Sequence, residues 1–182
     1  MKPILRLILP FLTLITACTS MPKESISTTP HVDLPRFMGR WYVIASIPTF
    51  VERKAFGASE SYALNPDGTI ATTFTFHQGS LDGPVKTMKP KGFVQSPSNA
   101  TWAMQFLWPF KAEYLIAYVD PDYSETIIAR NNRDYVWIMA RTPQLTPERY
   151  QHLVDAVGVL GYDLSKLRRV PQGSDDRGTT VN

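Results

Sequence analysis

The side chains that could do chemistry in this 182-residue chain are few and scattered. Of the three histidines, His31 lies ahead of the first regular segment, His77 ends a strand-like run and His152 falls on a helical pattern. They do not converge into the clustered ligand set that a metal site needs, so neither a metal nor a cofactor is expected. No serine lies in a Gly-x-Ser-x-Gly turn, and most carboxylates fall in turns, where capping and solubility explain them. The only cysteine, Cys18, sits beside the amino-terminal leader, which leaves no thiol for catalysis. The expectation is a protein that is not an enzyme. One pair has a definable physical task. Arg141 ends an apolar run, where an unpaired charge would be costly, and Trp41 opens another. A guanidinium laid over that indole contributes about 1–2 kcal/mol when partly desolvated.

For Trp41 and Arg141 to meet, the first and last strands of a sheet must be neighbours, as in a closed barrel. Gly39-Arg40-Trp41-Tyr42 leads into a period-2 run, and the segment upstream suits a single helical turn capped by Asp33, with Pro35 in its first turn. Strands are expected at 41–49, 57–65, 69–78, 85–95, 101–107, 112–120, 124–131 and 134–141, joined by short turns such as Asn65-Pro66-Asp67-Gly68. Such a series favours an up-and-down barrel over a Greek-key sandwich. Thr146-Pro147-Glu148 then starts a helix whose Tyr150, Leu153, Val154, Val157 and Leu160 share one face, with Gly161 as its stop. That helix should pack outside the barrel, and residues 166–170 can add a short strand beside the first.

The amino terminus has a charged start, an apolar run from Leu7 to Ile15 and small residues before Cys18. That is a secretory leader, too short to span a bilayer as a mature helix. Ile15-Thr16-Ala17-Cys18 resembles a bacterial lipobox, which implies acylation of Cys18, palmitate among the chains, and a mature protein beginning there. Thr19 in place of an aspartate implies sorting to the outer membrane, periplasmic face. The expected domains are a leader over 1–17, a flexible Ser/Thr/Pro-rich tether over 18–32, a barrel over 33–172 and a disordered tail over 173–182. A lone cysteine excludes an internal disulfide. Loss of Lys2 and Arg6 with the leader lowers the formal charge from +3 to +1, so nothing points to nucleic acid. Lys86, Lys89 and Lys91 read as a solvated strand edge.

Gly39-x-Trp41 after a helical turn, Asp122-Tyr123 at a late hairpin and Arg141 ending the eighth strand resemble the three motifs of the lipocalins. The string Asp134-Tyr135-Val136-Trp137-Ile138-Met139-Ala140-Arg141-Thr142-Pro143 is similar to their bacterial outer-membrane branch, which is related to apolipoprotein D. The chain departs from the family pattern at Pro121, where threonine is frequent, and at Trp108, where a small residue is common. The resemblance implies an all-β fold, an eight-stranded antiparallel up-and-down barrel with one carboxy-terminal helix outside. It also implies one end sealed by Gly39, Trp41 and Arg141, the other end open.

Parity counted from Trp41 assigns an inward face to Val43 and Ala45, to Tyr62 and Leu64, and to Ile70, Thr72, Phe74 and Phe76. It does the same for Trp102, Met104 and Phe106, for Tyr114, Ile116 and Tyr118, and for Tyr135, Trp137 and Met139. A one-residue slip or a bulge would reverse any of these strands. Eight strands can pack solid or hold one small ligand. The first alternative is a structural or partner-binding envelope lipoprotein. The second, which the resemblance favours, is a lipid-binding outer-membrane lipoprotein. It would store or transport a fatty acid or lysophospholipid for membrane biogenesis and upkeep, with Glu60 or a basic residue near the rim holding a head group. The partners expected are that lipid and the outer membrane; a homodimer is left open.

Overall fold

The computed structural model describes residues 24–173. The expected leader, the acylated Cys18 and residues 174–182 of the tail lie outside the described residues. Asp33 accepts a hydrogen bond from the Arg36 N–H and caps the one-turn helix α1 (Leu34–Phe37), which carries Pro35 in its first turn. The strands are β1 (Gly39–Ile47), β2 (Ala55–Leu64), β3 (Thr69–Gln78), β4 (Val85–Met88) and β5 (Lys91–Val94). They continue as β6 (Thr101–Leu107), β7 (Phe110–Val119), β8 (Glu125–Ala129) and β9 (Val136–Ala140). All pairings are antiparallel, and β9 pairs with β1 (Val43 opposite Met139, Ile47 opposite Val136), so the sheet closes into an eight-stranded barrel. The segment expected as one strand over 85–95 is interrupted at Lys89-Pro90, because Pro90 has no N–H to donate. Its two halves, β4 and β5, both pair with β3, so they count as one strand of the eight.

The barrel wall separates two cores. Inside lie Phe37, Trp41, Val43, Tyr62, Ile70, Phe74, Trp102, Met104, Tyr114, Ile116 and Met139. Outside, helix α2 (Pro147–Val159) lays Leu153 and Val157 on Ile44, Ile127, Ile138 and Ala140. Thr146 caps α2, and Gly161 ends it at φ +83°, the left-handed conformation a glycine adopts without strain. Just beyond, the Tyr162 hydroxyl accepts the Arg130 N–H and donates to the Tyr135 carbonyl, pinning the chain to the β8–β9 turn. Strand β10 (Arg168–Arg169) pairs with β1.

Bulges reverse two parity assignments. The β1–β9 register slips between Val43 and Ala45, which turns Ala45 out into the helix-covered core. The β7–β8 register slips between Ile116 and Tyr118, so Tyr118 also faces outward, with its ring edge-on to His152 at 6.3 Å. An added residue shifts a period-2 pattern by one and exchanges the faces. Leu64 fails for another reason. It is the last residue of β2, at the barrel's edge beside the Asn65–Gly68 turn, and is 44% exposed.

Residues 24–32, expected to be part of a free tether, lie against the barrel instead. Ile26 and Val32 are buried. Ile26 N–H donates to Asn131, Thr29 N–H to the Ile116 carbonyl and Val32 N–H to the Ser98 carbonyl. Two apolar residues in a polar stretch were enough to bind it down. The segment runs as a strap along the outside, from the β8–β9 turn to the capped end.

Candidate functional site

At one end of the barrel the Arg141 guanidinium lies 3.8 Å from the centroid of the Trp41 ring. It donates to the carbonyls of Arg40, Arg36, Phe37 and Met38 and, through Nε, to that of Tyr123. Burial lowers its pKa to about 10, which leaves it charged at neutral pH. Gly39 has φ +91°, and a Cβ there would stand 3.4 Å from an Arg141 nitrogen. Trp41 is fully buried and its indole N–H donates to the Phe37 carbonyl at 2.8 Å. Tyr123 joins the same end: its hydroxyl accepts the Asp33 N–H, and Arg36 lies 4.3 Å from its ring centroid. The residues singled out for this end therefore meet in one place.

Above this lock the barrel is solid. Phe37, Trp41, Tyr62, Trp102 and Tyr114 stack with ring centroids 5.1–6.4 Å apart, the indole of Trp102 lying almost parallel to Tyr114. Val43, Tyr62, Trp102, Ile116 and Met139, expected to line a ligand space, belong to this packed half. The upper half holds a cavity of about 320 Å³. Phe74, Met104, Phe106, Tyr114, Tyr135 and Trp137 line it, as do Met88, Val51 and Ala112. Phe106 is at the lip and 56% exposed. Phe76 faces instead a broader groove at the mouth, of about 640 Å³, shared with Phe50, Arg53, Lys54 and Lys86. The choice between a solid and a hollow barrel thus divides along the axis.

The cavity also carries acids that the turn-and-solubility reading missed. Glu60, expected near the rim as a holder of the lipid head group, is buried at the inner end, opposite Trp41 on β1 and Phe74 on β3. It accepts a hydrogen bond from the Tyr62 hydroxyl, which in turn is 2.5 Å from that of Tyr114. Burial, reinforced by the charge of Glu52 and offset in part by the Tyr114 hydroxyl, pushes the Glu60 pKa up to about 8. Burial and the nearby Glu60 hold the Tyr114 phenol well above its ordinary range. Parity with Tyr62 was the signal that could have located Glu60, since the two are neighbours on one face of β2. Nearer the mouth, Glu52 accepts hydrogen bonds from Trp137 Nε1 and the Thr49 N–H, and Glu113 accepts two from Asn131. Arg130 pairs with Asp134 at 3.2 Å. Thr72, across from Tyr62 on β3, buries a hydroxyl without a protein partner.

Beside that basic groove the rim of the mouth carries exposed apolar side chains. Phe50 (77% exposed), Leu107, Trp108 (81%) and Phe110 project from the β1–β2 connection and the β6–β7 hairpin, where the Trp108–Pro109 bond is cis. No group of histidine, cysteine and carboxylate side chains among the described residues could hold a metal ion.

A family model described as a lipocalin-like domain matches residues 32–172. The temperature-induced lipocalin-1 of Arabidopsis thaliana is 34% identical over 157 residues, covering 82% of this chain and 84% of its own. The outer membrane lipoprotein Blc of Citrobacter freundii is 29% identical over 160 residues (87% and 90%), and mouse apolipoprotein D 27% over 165 (86% and 83%). Among solved structures, insecticyanin from the tobacco hornworm Manduca sexta superposes with a TM-score of 0.66 at 15% identity, over 83% of this chain and 86% of that one. Apocrustacyanin C2 gives 0.63 at 13%, over 85% and 94%. At those identities the two structures speak for the fold alone.

Proposed function

The chain belongs to the lipocalin family, and from that premise we propose that it is an anchored carrier of a single-chain lipid. The ligand is a fatty acid or lysophospholipid, exchanged with the bacterial outer membrane for upkeep of the envelope. The coarser part rests on the family, whose members are generally binding or transport proteins for small hydrophobic ligands. The single observation that carries the finer part is the one-ended cavity, aromatic and aliphatic over most of its wall and of a volume suited to one chain. Each methylene withdrawn from water contributes ~0.8 kcal/mol, so a long acyl chain is held without any specific contact. Chain first, the lipid leaves its head at the mouth, where Arg53, Lys54 and Lys86 stand around the groove.

The strap suggests how such a cup meets the membrane. The Glu24 carbonyl accepts a hydrogen bond from Arg133, in the β8–β9 turn at the open end. Five residues lie between Cys18 and Glu24, a reach of at most ~22 Å. Acylated at Cys18, the protein would therefore be held mouth toward the bilayer. Phe50, Trp108 and Phe110 are then the residues that enter the interface, where aromatic rings are favoured. The outer membrane lipoprotein Blc relative agrees with that location by its name.

The test is mass spectrometry of lipid extracted from the purified barrel, then titration with lysophospholipid and fatty acid while following tryptophan emission. Trp137 lines the cavity, Trp41 and Trp102 are sealed in the packed half and Trp108 stands exposed at the mouth, so Trp137→Phe should remove most of the response. Absence of extractable lipid with a flat titration would overturn the carrier and favour an envelope lipoprotein that works through its outer surface.

A further inference from the structure

The inner end of the cavity has a hydrogen-bond inventory that does not close. Glu60, Tyr62 and Tyr114 are linked in a row on β2 and β7, and Glu60 and Tyr114 both border the cavity. Tyr62 has one hydroxyl proton and gives it to Glu60; Tyr114 must then donate its own toward the same pair. Both phenol protons are consumed inside the row. With Glu60 protonated, three protons share the row's two hydrogen bonds, so one O–H is left facing the cavity: that of Glu60 or, with the row running the other way, that of Tyr114. The alternative, a bare carboxylate, has no cation to meet: none of the ion pairs among the described residues includes Glu60. Glu52, Glu113 and Arg130 are the charged groups facing the same space, with Arg168 behind Glu52, and two of the first three repeat the negative sign.

We propose that Glu60, with Tyr62 and Tyr114 behind it, is a subsite for an uncharged oxygen, a hydroxyl or carbonyl at the end of a single-chain amphiphile that enters polar end first. The spare proton of the row donates to the ligand oxygen, and a ligand hydroxyl can return its own proton to the row. A fully apolar chain end at this depth leaves that donor unpaired, which costs free energy. A carboxylate head pushed to the same place would have to pass Glu52 and Glu113 and would meet a carboxyl and two phenols with no cation, so a free fatty acid is confined to the chain-first orientation. The subsite rests on the carrier reading and adds to it a second ligand class, neutral long-chain alcohols, aldehydes or ketones. The raised pKa of Glu60 supports the protonated form at neutral pH.

The experiment is titration of the purified chain with 1-dodecanol, dodecanoic acid and dodecylamine at pH 6.5 and pH 9.5, followed by Trp137 emission. At pH 6.5 the alcohol should bind at least tenfold more tightly than the acid or the amine. At pH 9.5, with Glu60 ionised, the alcohol's advantage should shrink severalfold. Glu60→Gln keeps an N–H donor and should retain the preference without its pH dependence; the double variant Glu60→Met, Tyr114→Phe leaves no polar group of the row on the cavity and should bind the alcohol and acid alike. Equal affinities in the wild-type protein, or an alcohol preference that survives the double variant, would overturn the subsite while leaving the carrier intact. Failure of all three amphiphiles and of lysophospholipid to bind would remove both.

Discussion

At the scale of single residues, Glu60, which is buried, and Arg141, which is half-buried, are two charges drawn out of water with opposite solutions. Arg141 keeps its charge because five backbone carbonyls and the face of Trp41 surround it. Arg141→Ala should lower stability by about 1–3 kcal/mol through unpaired carbonyls and lost packing, measured by denaturant unfolding; an unchanged midpoint would refute the lock. Glu60 instead gives up its charge. Its carboxyl ionises near 4.5 when unfolded and about 8 when folded. Between those values the folded state holds a proton that the unfolded state lacks, so stability falls as pH rises. The full stabilisation is present below pH ~4.5 and is lost by pH ~8, with a slope of up to ~1.4 kcal/mol per pH unit. Glu60→Gln should remove that slope and be more stable than the parent at pH 9. Unfolding curves at pH 5, 7 and 9 decide it, and parallel curves for the two proteins would count against a neutral Glu60.

At the scale of elements, the wall of the barrel works only because each face has its own cover. The outer face of β8, β9 and β1 is as apolar as the inner one, and α2 is what covers it. Leu153, fully buried at the centre of that contact, should cost about 2–4 kcal/mol when replaced by alanine. By contrast, Val159→Ala, at an 88% exposed position of the same helix, should be nearly neutral. Comparable losses at both sites would mean that the helix acts by propensity and not by docking. Arg149 adds a contact from α2 to the buried Glu125 at 2.5 Å, but it is half-exposed and water weakens the pair.

For the whole molecule, a packed lower half and a hollow upper half allow stability and binding to be altered separately. Substitutions at the lock should change unfolding and spare ligand affinity. Substitutions at the mouth should do the reverse. Membrane attachment is a third, independent property. Cys18→Ser should release the protein from the membrane fraction or leave it unprocessed; unchanged fractionation and no lipid mass on the amino terminus would refute the anchor. With the anchor intact, Trp108 should be quenched by brominated lipid in vesicles if the mouth faces the bilayer, and silence there would point the cup away.

The strand series and the outer helix were legible from local rules: turn residues, period-2 runs and a capped amphipathic helix; those rules only favoured a closed barrel, and the resemblance of its motifs to the lipocalins decided it. Trp41 and Arg141 could be paired from the sequence since only closure brings the first and last strands together. Orientation within the wall was another matter. Ala45 and Tyr118 were assigned inward and face outward, because a bulge is set by how two strands register against each other and leaves no mark on either one. Glu60 looked like a rim acid until β1, β3 and β7 enclosed it, and its protonation comes from that burial. Nor could composition say how far up the barrel the aromatic rings would fill. The depth at which packing stops and the cavity begins depends on side chains from every strand meeting at one level. That is a property of the tertiary structure alone.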